Sequence, residues 1–278
     1  NLLLHYIILY LELYFILMKN YLFIFLICLG CASKKEIVAP KFESKIISTE
    51  KLSCRAIFIE IDKVWLGMDK GRYGFYDKKK DTLVVKTIQS VSNTTEFRSI
   101  AATKDAIFIL AVGNPAKLIK IDKKSLQETI VYQEENEKVF YDSMQFVDNL
   151  NGFAMGDPTE DCLSFIKTAD GGNSWEKVSC ANFPKVSEGE AAFATSNTNL
   201  IVKGKSIFMV SGGKKSRVFV SHDFGTSWQV YETPIVQGEE MTGIFTADFY
   251  NDKIGIIAGG NYLKQTQNWS NKAITTNG

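Results

Sequence analysis

The stretch TADGGNSW, residues 168–175, recurs 53 residues further on as SHDFGTSW, residues 221–228. In both copies a hydroxyl residue is followed at fixed spacing by Asp, Gly and Trp. Each type has a role in folding, because Ser, Thr and Asp side chains bond backbone amides in turns, Gly accepts a positive φ, and Trp buries a large apolar area. The motif therefore predicts a structural turn rather than a catalytic site. Its key positions are Thr168, Asp170, Gly172, Trp175, Ser221, Asp223, Gly225 and Trp228.

Similar units continue through the chain. Thr275 and Asn277, in the final TTNG, fit the first half of a third copy, whereas Asp122 and Asp77 mark two weaker copies without the Gly and Trp. Each unit also contains an apolar run that ends in Gly. Self-similarity at a period of about 40–50 residues is typical of repeat folds. The units open with CRAIF, FRSIA, YDSMQF, GEAAF and MTGIF, which makes five.

Every unit is rich in β-branched and aromatic residues and fits four short strands. In the second unit RSIAAT, AIFILAV, AKLIKID and QETIVYQ are separated by turn residues, without a sustained helical period. This repeated pattern predicts an all-β β-propeller of four-stranded blades. We expect about five blades over residues 53–278, with the last one incomplete. Since propellers avoid exposed edges by closing the ring, we expect the natural gene to continue.

These motifs resemble the Asp-box, or BNR repeat, of sialidases and related propellers, in which the box closes the hairpin between the third and fourth strands of a blade. The phrases FRSIA, YDSMQF with GFAMGDP, GEAAFATS, and GGNYLK with NKAITTNG are similar to secreted bacterial propellers related to the photosystem II assembly/stability factor. The resemblance covers about residues 53–278. It implies a BNR-like propeller that binds or scaffolds a partner. It does not carry over the photosystem role, because the first two boxes are degenerate and nothing in the sequence indicates a photosynthetic host.

The N-terminal region predicts export. From Met18 the chain has a basic residue, Lys19, then an apolar run over residues 21–29 and a small residue before Cys31. This is the pattern of a secretory signal peptide. The LGC ending resembles a bacterial lipobox, so we expect Cys31 to be lipidated and to anchor the protein in a membrane.

Three segments follow from this interpretation. Residues 1–30 would be translated leader plus signal peptide, with the true start at Met18, and residues 31–52 a linker to the propeller at residues 53–278. The alternative is a transmembrane helix over residues 2–18, which is short for a span and contains Glu12. We expect an exported, membrane-anchored lipoprotein of the periplasm or the cell surface.

Composition excludes several classes of function. The net charge of +1 gives no electrostatic basis for binding nucleic acid. No G-x-G-x-x-G follows a strand and no CxxC pair is present, while the histidines are His5 in the leader and His222 in the second motif. We therefore expect no cofactor and no metal. We expect a monomeric propeller whose partner is an unknown envelope protein or a glycan.

The cysteines fit an oxidising compartment. Cys162 and Cys180 flank the motif at residues 168–175 almost symmetrically, on the two strands that it joins. They can form a disulfide if their Cα atoms lie within about 7 Å, or they can stay reduced. Cys54 would be free.

The unit openings predict a binding site. In a propeller the first strand of each blade lines the central channel, so equivalent residues would form a ring at its mouth. The aligned residues are Arg55, Arg98, Asp142, Glu190 and Thr242. Two interpretations remain open: a site for a polar ligand or partner, carried by the first four, or salt bridges that hold adjacent blades together.

A sialidase-like glycoside hydrolase acting at the central funnel is the alternative function. Such an enzyme needs two carboxylates across the scissile bond, and sialidases also use three Arg. Arg217 falls on an outer strand in this alignment, which argues against an arginine cluster. The GDP phrase at residues 156–158 is interpreted as a turn that ends a strand.

Overall fold

The computed structural model describes residues 10–15, 17–19, 41–48, 50–193 and 197–278. The chain divides into two compact units, residues 1–45 and residues 46–278. In the first unit, residues 10–15 and 17–19 are helical. Within the described ranges, no helix has both the length and the apolar character that crossing a bilayer requires. The predicted apolar run of the signal peptide and Cys31 lie outside the described residues.

The first three sheets of the second unit are antiparallel, four-stranded and built from consecutive strands, and we call them blades 1–3. Blade 1 contains β1 (Cys54–Ile59), β2 (Lys63–Met68), β3 (Arg72–Asp77) and β4 (Thr82–Thr87). Blade 2 contains β5 (Phe97–Ala102), β6 (Ala106–Ala111), β7 (Ala116–Asp122) and β8 (Glu128–Glu134). Blade 3 contains β9 (Tyr141–Phe146), β10 (Gly152–Gly156), β11 (Ser164–Thr168) and β12 (Glu176–Lys177).

The two remaining sheets are interleaved in the chain. After a 3₁₀ turn at Cys180–Asn182 come β13 (Glu190–Ala191), β14 (Leu200–Lys203), β15 (Ser206–Val210), β16 (Gly212–Gly213), β17 (Arg217–Ser221) and β18 (Gln229–Glu232). The chain continues with β19 (Thr242–Phe249), β20 (Gly255–Asn261) and β21 (Lys272–Thr275). Blade 4 has the order β14-β15-β17-β18, and blade 5 has the order β13-β16-β19-β20-β21.

Apolar layers between neighbouring blades form the core. The inner strands are buried on both faces, as in β6, where every residue is buried, whereas the outermost strands β4, β8 and β18 are partly exposed. Four clusters of buried side chains separate successive blades. First strands of neighbouring blades pack together in series: β1 with β5, β5 with β9, β9 with β14, and β14 with β19. This arrangement places the first strands around a common axis.

The predicted all-β architecture of about five blades is confirmed. All four strands proposed for the second unit are present, as β5 to β8. One strand differs from the prediction, because the opening of the fourth unit, β13, pairs with β16 in the sheet of blade 5. The two glycines Gly212 and Gly243 permit this, since a Cβ on Gly243 would lie 2.2 Å from the Gly212 Cα.

Candidate functional site

Three residues of the predicted ring occupy the same structural position. Arg55, Arg98 and Asp142 are each the extra residue of a β-bulge in the first strand of blades 1, 2 and 3. A bulge re-aims a side chain away from the regular alternation of a strand. In blade 1 this end of the sheet is opposite the turn after Asp77, because Cys54 pairs with Met68 while Lys63 pairs with Asp77.

Asp142 is an unusual carboxylate. It is 0% exposed, and neither carboxylate oxygen has a hydrogen-bond partner among the described residues. Burial raises its pKa well above the ordinary value, the charge of Asp157 raises it further, and Arg98 lowers it. A buried polar group in a folded protein nearly always has a partner, so this side chain calls for an explanation.

Asp157 completes a pair of carboxyl groups. It directly follows β10, and its amide donates to the Phe140 carbonyl at 2.8 Å, beside the bulge that contains Asp142. Its Oδ1 accepts a hydrogen bond from the Ala192 amide at 2.8 Å. Burial raises the pKa of Asp157 to about 6, although that hydrogen bond opposes the shift. The GDP phrase predicts only a turn that ends a strand, so the sequence does not reveal this carboxyl group.

Arg98 lies beside the pair but is bonded elsewhere. Its Nε and Nη2 donate to Glu96 Oε2 at 3.1 and 2.9 Å. Its guanidinium also lies over the Phe140 ring, 5.8 Å from the centroid. Arg98 and Asp142 are thus brought near each other without a direct bond.

Arg55 lies on an exposed stretch of β1. It forms no ion pair with any residue that the structure describes. Ile57 and Ile59 follow in the same strand and are 56% and 65% exposed. This strand therefore combines a cation with accessible apolar surface.

Glu190 belongs to a separate network. Its carboxylate accepts hydrogen bonds from Arg217 Nε and Nη2, from the Ser211 hydroxyl at 2.6 Å and from the Ser187 amide at 2.8 Å. Arg217, which the sequence alignment places on an outer strand, is on β17, the third strand of blade 4, and its guanidinium reaches Glu190 on β13. Thr242, also buried, donates to the Glu239 and Gly213 carbonyls. Glu190 therefore joins blades 4 and 5, whereas the Thr242 hydroxyl bonds within blade 5 and to the loop before β19.

The two eight-residue motifs form equivalent turns between the third and fourth strands of blades 3 and 4. Asp170 Oδ1 accepts hydrogen bonds from the Asn173 and Ser174 amides at 2.9 and 3.1 Å, and Thr168 Oγ1 accepts one from the Gly172 amide at 3.1 Å. Asp223, Ser221 and Gly225 repeat the pattern. Gly172 has φ +73°, and a Cβ there would lie 2.3 Å from the Phe108 ring. These contacts give every motif residue a structural role.

The tryptophans of the motifs reach the preceding blade. Trp175 of blade 3 packs edge-on against Phe146 and Phe108, with ring centroids 5.6 and 6.3 Å away. Trp228 of blade 4 packs against Phe165 of blade 3, at 5.4 Å. The turns after Asp77 and Asp122 keep the carboxylate-to-amide bonds without a Trp. After β21, Thr275 Oγ1 donates to Asn277 Oδ1 at 3.2 Å.

Cys162 and Cys180 form a disulfide, with Cα atoms 5.5 Å apart. Cys54 is free and exposed. Glu160, Asp161 and Cys180 cluster on the surface, but the sulfur of Cys180 is in the disulfide and cannot act as a thiolate ligand. Among the described residues this cluster therefore offers only two carboxylates.

A cavity of about 280 Å³ lies among the first strands, next to Ile57, Ile100 and Met144. The Asn197 side chain spans two of these strands: Nδ2 donates to the Ile100 carbonyl and Oδ1 accepts from the Met144 amide, both at 3.0 Å. The cavity wall is mostly apolar and contains none of the predicted ring residues.

Comparisons with known proteins bear on the fold. No family model matches the chain, and no curated protein matches it. Among solved structures, U3-55K is similar, with a TM-score of 0.56 and 11% identity over 77% of this chain and 60% of that one. The β-propeller domain of Cps50 (Swd1) from Myceliophteria thermophila is also similar, with a TM-score of 0.50 and 10% identity over 74% of this chain and 62% of that one. The chain has a β-propeller fold. YCF48 bound to D1 peptide also matches, with a TM-score of 0.42 and 11% identity over 89% of this chain and 86% of that one. The chain spans about 60% of the length of U3-55K, and identities this low show the fold alone.

Proposed function

We propose that this β-propeller is a binding or scaffold module whose partner contacts the end of the blades that carries Arg55 and Arg98. The observation that carries the proposal is the exposed stretch of β1, where Arg55 is followed by Ile57 and Ile59. A cation without an ion-pair partner among the described residues, close to exposed apolar side chains, fits a protein segment that is both acidic and apolar. Arg98, partly exposed on the next blade, extends the same edge.

We further propose an exported lipoprotein of the Asp-box type, anchored through Cys31 at the cell envelope. Two observations support this: the signal-peptide pattern from Met18 and the turn geometry of the two eight-residue motifs. Mass spectrometry of membrane-extracted protein should find an acylated Cys31 as the first residue. An unmodified N-terminus at Ala32 or later would contradict the anchor.

The carboxyl pair Asp142 and Asp157 is the feature that favours a hydrolase, because an acid with a pKa of about 6 suits general acid catalysis. Asp142, however, is 0% exposed, so a glycosidic bond cannot reach it in this conformation. The burial of Asp142 therefore favours binding over hydrolysis.

Site-specific photo-crosslinking tests the binding proposal. A photoreactive residue replaces Ile57 in the full chain, expressed in the source cell, and a matched variant carries it at Tyr231, which is 48% exposed on the outer strand of blade 4. We expect a discrete crosslinked protein from position 57 and none from position 231. Equal products from both positions would contradict a partner site on β1.

A further inference from the structure

The two carboxyl groups of Asp142 and Asp157 lack a counter-charge of their own. Arg98 is the cation that influences Asp142, but its guanidinium is bonded to Glu96. Asp157 accepts a hydrogen bond from an uncharged backbone amide. An ionised carboxylate as buried as that of Asp142 is costly unless something neutralises it.

Two further buried polar side chains, on chain segments next to β9, have no hydrogen-bond partner among the described residues. They are Ser99 and Asn199, both 0% exposed. The strands that carry them are tied together at this point. Asn197 bonds both Ile100, next to Ser99, and Met144, two residues after Asp142. The Leu200 amide, next to Asn199, donates to Ser143 Oγ at 3.3 Å.

Unpartnered polar side chains of blades 2, 3 and 4 thus lie on neighbouring segments of the chain. We propose that Asp142 and Asp157 bind a hard divalent cation there, with Ca²⁺ as the best match. Ca²⁺ takes carboxylate, hydroxyl and amide oxygens in irregular geometry, and Ser99 and Asn199 supply the last two types. A charge of two also neutralises both carboxylates.

A cationic side chain of a partner fits this site less well than Ca²⁺ does. An ammonium or guanidinium group from a partner cannot reach Asp142, because the side chain is fully buried. The cation site does not depend on the proposed partner surface, since Arg55 and the β1 isoleucines take no part in it.

Equilibrium dialysis with Ca²⁺ tests the site. The full chain, treated with chelator and dialysed at about pH 7.5, above the pKa of Asp157, should bind an equimolar amount of Ca²⁺ at about 1 mM. Asp142→Asn should weaken binding at least about tenfold, because it removes one of two charged ligands. Asp161→Asn, in the exposed acidic cluster, is the matched control and should bind like the wild-type chain.

Thermal melting gives an independent readout. Ca²⁺ should raise the melting temperature of the wild-type chain and of Asp161→Asn, but not that of Asp142→Asn. If Asp142→Asn fails to fold, Asp157→Asn takes its place. The proposal is overturned if the wild-type chain binds no Ca²⁺ at about 1 mM, or if Asp161→Asn abolishes binding while Asp142→Asn retains it.

Discussion

Arg217 on β17 donates hydrogen bonds to both carboxylate oxygens of Glu190 on β13, 2.9 Å from Nε to Oε1 and 2.5 Å from Nη2 to Oε2. The Glu190 side chain is 0% exposed and that of Arg217 is 16% exposed. Because β13 belongs to the sheet of blade 5 and β17 to blade 4, the pair joins two blades. This contact is the inter-blade salt bridge that sequence reasoning allowed for, with a different arginine as the partner.

Removing Arg217 should therefore be costly. Arg217→Ala leaves a buried carboxylate without its cation, and we expect the free energy of unfolding to fall by about 3–5 kcal/mol. Lys215→Ala, which breaks the exposed pair with Glu232, is the control and should change stability little. Urea denaturation measures both variants. Equal stabilities for the two would show that the Glu190 pair does not hold the blades together.

The sequence predicts the parts of this fold that repeat. Regular spacing placed the turn motifs, the strands of blade 2 and the equivalent positions of Arg55, Arg98 and Asp142. Such features depend on local pattern, which a single sequence displays. Long-range contacts have no such signature. Asp157 is held by Ala192, which is 35 residues away.

Irregular strands are the second part of the fold that the sequence does not predict. β13 and β16 are two residues long, too short to show the alternation that marks a strand. The placement of Glu190 in the sheet of blade 5 depends instead on close backbone approach at Gly212 and Gly243. Likewise, the packing of Trp175 on the preceding blade follows from the assembled propeller and not from its own hairpin.

Stability should depend on pH through Asp157. Burial raises its pKa from 3.8 to about 6, so the folded chain holds a proton that the unfolded chain has released. This proton contributes about 3 kcal/mol to the free energy of unfolding. The contribution is fully present below about pH 4 and is lost as the pH rises through about 6. Asp157→Asn should remove that slope. Denaturation in chelator across this range measures it, and identical slopes for the two chains would contradict the assignment.

The carboxylates of the two turn motifs make stability depend on pH in the opposite direction. Hydrogen bonds from Ser227 lower the pKa of Asp223 to about 2, and those from Ser174 and Thr168 outweigh burial to lower that of Asp170 to about 2. Their contribution is present above about pH 4 and is lost as the pH falls toward 2. Asp170→Ala should accordingly lower the melting temperature at neutral pH and flatten its fall in acid. Partner binding should persist, and its loss would contradict a purely structural motif.

The disulfide should stabilise blade 3. Cys162 and Cys180 close a loop with a sequence separation of 18, and losing such a crosslink costs about 3 kcal/mol. We expect the double variant Cys162→Ser, Cys180→Ser to unfold at lower urea concentration, and a reducing agent to bring the wild-type chain to the same midpoint. Cys54→Ser is the control. Unchanged unfolding of the double variant would contradict the stabilising role.

The binding claim is tested most directly by measuring capture and stability on the same variants. Arg55→Ala and Arg98→Ala are compared with Lys79→Ala, an exposed cation at the opposite end of blade 1. The protein crosslinked at position 57 should be lost from both arginine variants and retained by Lys79→Ala. All three melting temperatures should stay close to that of the wild-type chain, because Glu96, the partner of Arg98, is itself 38% exposed. Unchanged capture by Arg55→Ala and Arg98→Ala, together with a loss of several kcal/mol of stability in Arg98→Ala, would contradict the binding role and make this end of the blades structural.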